Sequence, residues 1–321
     1  MRRLFHEQAG GAARVALRAL AAPVAPSRGD TNNACAMVAP GSAHARRAGL
    51  PAPAAPVAVL LGVVAMRAGL GAAMGLGLGL RPMLLVSELL LALPGLALLA
   101  LARAPLAEAL GLRPLRGRPL VLCLAAGITL WVGSLGLFSV QYAAWPPPEG
   151  YLDSFRQLHA ALRPANVADA LLSIGAIAVV PALCEETLFR GVVLASLRPA
   201  MPEWLAVLTQ AFLFGLIHLD TTAGGPPILY RVPFTFAVGI ALGLLRLRAR
   251  SLAGPAVAHA LLNTTTFLAV LFSNDPAGDT DPGAAVGLAL LLAGSLATAF
   301  ILRALGRTDW RATIDSPMPA P

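Results

Sequence analysis

Two adjacent glutamates and an arginine interrupt a strongly apolar stretch of this chain, LLSIGAIAVVPALCEETLFRGVVLASL. Glu186 and Arg190 are four residues apart, which on a helix places them on one face, within reach of an ion pair. Glu185 points about 100° away from Glu186 and has no partner on its own helix. We therefore expect one glutamate to be neutralised and the other to face a cavity.

Two more apolar stretches carry polar residues at helical spacing. In FGLIH, His218 lies one turn after Phe214, and in HALLN, Asn263 lies one turn after His259. A lone histidine on an apolar helix is more often a packed core residue than a ligand. That interpretation weakens here, because three polar groups occur on three neighbouring apolar stretches.

Together these side chains have the chemistry needed to hydrolyse an amide bond. A carboxylate and an imidazole can hold and deprotonate water, and a second imidazole and an amide can donate hydrogen bonds to an oxyanion. Glu185, His218 and His259 could equally bind a divalent metal such as zinc, which would activate the water instead. The residues leave both routes open. A nucleophilic thiol at Cys184 is weaker, since buried cysteine is ordinarily an apolar filler.

The composition places these residues in a membrane. Hydrophobic residues make up 57% of the 321-residue chain and charged residues 12%, against about 25% charged in soluble domains. All 24 basic residues are arginine, which is typical of a GC-rich, bacterial coding sequence. They are scattered beside apolar runs with no basic stripe, which argues against a nucleic-acid partner. We predict an all-α, polytopic membrane helix bundle whose surroundings are the lipid bilayer.

Eight apolar runs predict about eight transmembrane helices, because a helix needs ~20 residues to cross a bilayer. They lie near residues 55–80, 82–103, 120–141, 168–197, 204–219, 228–245, 252–273 and 284–305. The fifth run is short by this measure. Most loop arginines fall on one side if the runs alternate, so the positive-inside rule predicts that both termini are cytoplasmic. The expected location is the cell membrane, in a bacterium the inner membrane.

The chain divides into three parts. Residues 1–50 are basic and match no domain pattern, so we predict a disordered or presequence-like segment. Residues 51–307 form the transmembrane domain, with its functional core at about 165–275, and residues 308–321 form a C-terminal tail.

Glycines recur every four residues at Gly71, Gly75 and Gly79 and again at Gly239 and Gly243. Small residues at this spacing let helix backbones approach closely, so we expect both sets to lie at helix–helix contacts.

Two charged residues, Arg67 and Glu88, stand alone within apolar runs. Such residues can snorkel to the membrane surface or face a neighbouring helix. We favour a structural role for both.

Three motifs carry a resemblance to a known family. EETLFR reads as EExxxR, FGLIH as FxxxH and HALLN as HxxxN, in that order and each within an apolar run. The sequence thereby resembles the CPBP intramembrane proteases, also called the CAAX-protease and bacteriocin-processing, or Abi, family. The resemblance covers about residues 165–275, and the earlier runs agree only in being apolar.

The resemblance implies a role for each motif residue. It makes Glu185 the general base that acts on water together with His218, and it makes His259 and Asn263 the pair that stabilises the oxyanion. Three supporting positions would shape the site: Glu186, Arg190 and Phe214. The family has been described both as metal-dependent and as a metal-independent glutamate type, so the cofactor stays open between a divalent metal and none.

The expected function is therefore that of an intramembrane endopeptidase, of metallo- or glutamate type, acting on a membrane-associated or lipidated protein or peptide. Eukaryotic relatives cleave prenylated CaaX proteins, a substrate that we do not transfer to a bacterial chain. An alternative of another class is a non-proteolytic transport or self-immunity protein whose buried Glu/His cluster lines an ion path. The two halves show no repeat symmetry of the kind common in transporters, which argues against it.

Overall fold

The structure is a computed structural model that describes residues 50–221, 227–272 and 283–307. The predicted N-terminal segment, except for its last residue, and the predicted C-terminal tail lie outside these ranges.

The described residues form ten helices and one pair of very short strands. The helices are α1 Ala54–Gly75, α2 Leu80–Leu101, α3 Leu106–Leu110, α4 Gly117–Ala144, α5 Tyr151–Ala161, α6 Val167–Leu197, α7 Glu203–Ile217, α8 Val232–Ala249, α9 Ala253–Phe272 and α10 Ala284–Gly306. Strand β1 (Asp220–Thr221) pairs antiparallel with β2 (Pro227–Ile228) in the connection between α7 and α8.

Seven of these helices are long and apolar enough to cross a membrane, namely α1, α2, α4, α6, α8, α9 and α10. The chain is therefore an all-α polytopic helix bundle, as predicted. Helix α7 corresponds to the fifth predicted run and has 15 residues, fewer than the ~20 that a full crossing needs. The amphipathic α5 falls between the third and fourth predicted spans, where no helix was predicted. The side of the membrane on which the termini lie remains a prediction.

The first predicted span is too long, because the glycine-rich run ends it. Helix α1 stops at Gly75, and Gly77 adopts a left-handed conformation with φ of 67° in the turn before α2. A Cβ atom added at Gly71 or Gly75 would meet no atom within 4 Å in the described part of the chain, and Gly79 only precedes α2. The prediction that these glycines bring helices together is wrong.

Close packing at glycine occurs elsewhere in the bundle. A Cβ added at Gly239 would lie 3.1 Å from Ala211, and one added at Gly243 would lie 2.6 Å from Gln210. This confirms the predicted glycine contact, which joins α8 to α7. Helices α4 and α10 approach even more closely, since a Cβ at Gly136 would collide with the backbone of α10.

Helix α6 carries both glutamates and is not regular along its length. It contains two π-helical stretches, Gly175–Val179 and Thr187–Val193, and such wider turns within α-helices are frequent at functional sites. Pro181 lacks an N–H group, and in a regular helix its ring would clash with the carbonyl one turn earlier. The first wide turn accommodates it. Glu185 and Glu186 occupy the regular segment between the two stretches.

Two apolar cores hold the bundle together. One is built mainly from α1, α2, α6 and α7, and the other from α4, α8, α9 and α10. The polar motif residues lie on helices of both groups, so packing of the two cores determines how these residues meet.

Candidate active site

A cavity of about 430 Å³ lies among α2, α5, α6, α7, α8 and α9. All four residues predicted to be catalytic, Glu185, His218, His259 and Asn263, line it, and so does Phe214. The other polar or charged residues of its wall are Glu88, His159, Arg231, Thr235 and Thr266. The structure thus brings the predicted residues to one cavity, while their catalytic roles remain predictions.

The ion pair expected within α6 lies behind this cavity. Arg190 Nη1 donates to Glu186 Oε1 at 2.9 Å, and Nη2 donates to the carbonyl of Gly239 at 3.1 Å. Glu186 is 0% exposed and Arg190 is 1% exposed. Neither residue lines the cavity. The charge of Glu186 is therefore neutralised locally, in keeping with a supporting position.

His259 connects this ion pair to the cavity. Its Nδ1 atom lies 2.9 Å from Glu186 Oε1, and since a carboxylate only accepts, Nδ1 carries the proton. The Nε2 atom on the other side of the ring lies 3.8 Å from Glu185 Oε2, beyond hydrogen-bond distance. Sequence reasoning missed the contact between His259 and Glu186, which are 73 residues apart on different helices.

His218 is oriented by the end of its own helix. Phe214 has one of the last four carbonyls of α7, which have no partner within the helix. His218 Nδ1 lies 2.8 Å from that carbonyl oxygen, and because a carbonyl only accepts, Nδ1 carries the proton. In the neutral ring, Nε2 is therefore a hydrogen-bond acceptor.

The Phe214 ring lies against three of the site's side chains. Its centroid is 4.8 Å from that of His218 and 6.0 Å from that of His259, and the Arg190 guanidinium stands 4.6 Å from it. The ring itself is buried. Phe214 therefore fixes the separation of the two imidazoles, which gives the FxxxH spacing a physical reason.

Two glutamates line the cavity without an arginine of the described residues paired to them. Glu185 is 8% exposed and forms no hydrogen bond with another described side chain. Glu88 of α2 also lines the cavity, and its Oε2 atom is buried with no hydrogen-bond partner among the described residues. The sequence favoured a structural role for Glu88 and did not predict its place in the cavity, because an isolated glutamate belongs to no motif. Arg67, the other isolated charge, is not part of the cavity wall.

Polar contacts join α5 to the region after α7 at one end of the cavity. The Tyr151 hydroxyl donates to the carboxylate of Asp220, and Arg231 Nη1 lies 3.5 Å from the same carboxylate. The Arg231 guanidinium also covers the Phe155 ring at 5.2 Å. Burial, together with the bond to Asp220, raises the pKa of Tyr151, so its hydroxyl remains a donor. Burial lowers the pKa of His159, another wall residue, which favours its uncharged form at neutral pH.

The arrangement of metal-ligating side chains is known only for the described residues. Within the described ranges, no group of three or more His, Cys, Asp or Glu side chains is placed closely enough to hold a metal ion. Glu185, His218 and His259 line the same cavity, with His259 Nε2 3.8 Å from Glu185 Oε2. Metal binding by these three residues remains a prediction.

Comparison with known protein families finds a match in the region of the chain that contains these residues. Residues 167–265 match the family model for type II CAAX prenyl endopeptidase Rce1-like proteins, in agreement with the resemblance seen in the motifs. The match supports a CAAX-type intramembrane endopeptidase. It contains every predicted site residue: Glu185, Glu186, Arg190, Phe214, His218, His259 and Asn263. No curated protein and no solved structure matches the chain.

Proposed function

We propose that this protein is an intramembrane endopeptidase that hydrolyses a peptide bond of a membrane-associated or lipidated protein or peptide. One observation carries the proposal. Glu185, His218, His259 and Asn263 come from three helices and line one cavity, within the segment that matches Rce1-like endopeptidases.

Glu185 is the general base in this proposal. Among the described residues no arginine is paired with its carboxylate, whereas the neighbouring Glu186 is held by Arg190. A water molecule between Glu185 and the Nε2 atom of His218 can donate one hydrogen bond to each. Glu185 then takes a proton as the water oxygen attacks the carbonyl carbon. His218 orients the water, because its Nδ1–H is already bound to the backbone.

Asn263 and His259 stabilise the oxyanion that forms. The Asn263 amide has no hydrogen bond to another described residue, so its NH₂ group is available to the substrate. When His259 is doubly protonated, Nδ1–H donates to Glu186 and Nε2–H is left to donate to the oxyanion. The hydrogen bond from Nδ1–H to Glu186 fixes the orientation of the ring, which gives the buried ion pair a part in the chemistry. A single oxyanion donor of this kind contributes about 10²–10³ in kcat.

The test is cleavage of membrane-anchored peptides by the purified protein in proteoliposomes. We expect Glu185→Gln and His218→Ala to lower kcat by about 10²-fold or more, since each removes a group that handles the water. Glu203→Gln is the matched control, because Glu203 forms only an exposed pair with Arg198. If both variants fold and still cleave at the wild-type rate, the proposal is wrong.

Removal of metal separates the two routes left open by the sequence. The mechanism uses side chains alone, so activity should survive exhaustive chelation. Activity that disappears with chelator and returns with zinc would contradict the metal-free scheme while leaving the protease assignment in place.

A further inference from the structure

Two acidic residues line the cavity, Glu185 and Glu88, and Glu88 has no part in the proposed attack of water. It lies on α2, outside the segment that matches the family model, and Leu84 one turn before it lines the same wall. One carboxylate oxygen is buried with no hydrogen-bond partner among the described residues. The two cations nearest the site are engaged elsewhere, Arg190 by Glu186 and Arg231 by Asp220. An unpaired acid at membrane depth is costly and is by default a candidate functional residue.

Two contacts fix the register of α2 against α6. Arg81 Nε donates to Ser173 Oγ at 2.8 Å, and these two residues are 92 residues apart in the sequence. Further along, Gly95 packs against Leu188, whose Cδ1 would lie 3.1 Å from an added Cβ. Gly95 and Leu188 are 93 residues apart in the sequence. Because this separation is nearly the same as that of the first pair, the two helices run side by side in the same direction over this stretch.

The same separation in the sequence places Glu88 level with residues 180–181, one turn before Glu185. Both carboxyl groups thus line one cavity at neighbouring depths, and no arginine of the described residues forms an ion pair with either. Two carboxyl groups that line one cavity disfavour ionisation of both, because their negative charges repel each other and burial favours the uncharged acid. Since the proposed reaction requires Glu185 to be ionised to accept a proton from water, Glu88 is the carboxyl group of the two that would stay protonated.

We propose that Glu88 is the general acid of the reaction, which protonates the leaving nitrogen of the scissile peptide bond. The inference rests on the proposed endopeptidase function and adds to it the proton donor that bond cleavage requires.

The proton transfers form a closed cycle. Water gives one proton to Glu185 and its hydroxyl group to the carbonyl carbon. Glu88 gives its proton to the nitrogen as the C–N bond breaks, which releases an amine and a carboxylic acid. Transfer of a proton from Glu185 to Glu88 then restores both groups, and one water is consumed for each bond cleaved.

The test compares Glu88→Gln and Glu88→Asp with the wild type and Glu185→Gln in one cleavage assay. Glutamine keeps the size and hydrogen bonding of the side chain but cannot release a proton. We expect Glu88→Gln to lower kcat by about 10²-fold or more with KM little changed, and Glu88→Asp to retain more activity than Glu88→Gln. Glu108→Gln, at an exposed acid of α3, is the charge-matched control and should leave the rate unchanged.

An infrared difference spectrum between wild type and Glu88→Gln gives a second readout without substrate. We expect a carbonyl band of a protonated carboxylic acid that Glu88→Gln lacks. A missing band, or a band with wild-type kcat in Glu88→Gln, overturns the general-acid role. If wild type cleaves nothing, or Glu185→Gln cleaves as well as wild type, the endopeptidase proposal itself fails and the general-acid role falls with it.

Discussion

The substitution Glu186→Gln should separate the supporting glutamate of the EExxxR motif from the catalytic one. It keeps the size of the side chain but removes the charge that holds Arg190 Nη1 and His259 Nδ1, each at 2.9 Å. Arg190 is 1% exposed, so water cannot take the place of the lost carboxylate. Breaking a buried ion pair by removing one partner costs about 3–5 kcal/mol, because an uncompensated charge stays behind. We expect a destabilisation of that size.

A double-mutant cycle tests whether this loss of stability comes from breaking the ion pair between Glu186 and Arg190. Arg190→Met alone should cost about as much as Glu186→Gln, because it strands the other charge. The double variant removes both charges and should be markedly more stable than either single variant, which gives a large coupling energy. Glu185→Gln is the matched control within the motif. It should stay within ~1 kcal/mol of the wild type, since no described arginine is paired with Glu185 and no hydrogen bond to a described side chain is lost.

The measurement is the free energy of unfolding in mixed micelles titrated with a denaturing detergent. The reasoning fails if Glu186→Gln is as stable as the wild type. It also fails if Glu185→Gln loses as much stability as Glu186→Gln, because the two glutamates would then have the same surroundings.

Three further predictions concern helix packing, pH and the geometry of the imidazoles. Gly136→Ala should cost about 1–3 kcal/mol of unfolding free energy, because the added methyl group overpacks α4 against α10. Gly71→Ala is the control and should cost nothing measurable in the same detergent titration, since a Cβ there meets no described atom within 4 Å. Because burial lowers the pKa of His159 from 6.5, the unfolded state takes up the proton first as the pH falls. The wild type should therefore lose stability below about pH 6.5, and His159→Gln should lose less, which thermal melting from neutral pH downward would reveal. Phe214→Leu removes the ring between the imidazoles and should lower kcat by up to about 10²-fold with only a moderate change in melting temperature.

Spacing within a single helix was enough to predict part of the site. The four-residue interval between Glu186 and Arg190 predicted their ion pair, and the observed distance is 2.9 Å. The apolar runs likewise predicted the long helices, because a bilayer requires a minimum length of apolar residues. Both inferences use geometry that repeats along one element.

Contacts between helices could not be predicted in this way. The bond from His259 to Glu186 and the place of Glu88 depend on how α9 and α2 are set against α6. That register follows from side-chain packing over whole helix faces, which no short motif contains. The glycines at 71 and 75 show the same limit, since their four-residue spacing is typical of a contact but an added Cβ there would meet no atom of the described residues within 4 Å.

The central claim is that Glu185 activates the water that cleaves the peptide bond. The most direct measurement is the single-turnover cleavage rate of Glu185→Gln in proteoliposomes, made on protein whose unfolding free energy equals that of the wild type. The account predicts a rate at least about 10²-fold below the wild-type rate. A correctly folded Glu185→Gln variant that cleaves at the wild-type rate would contradict it.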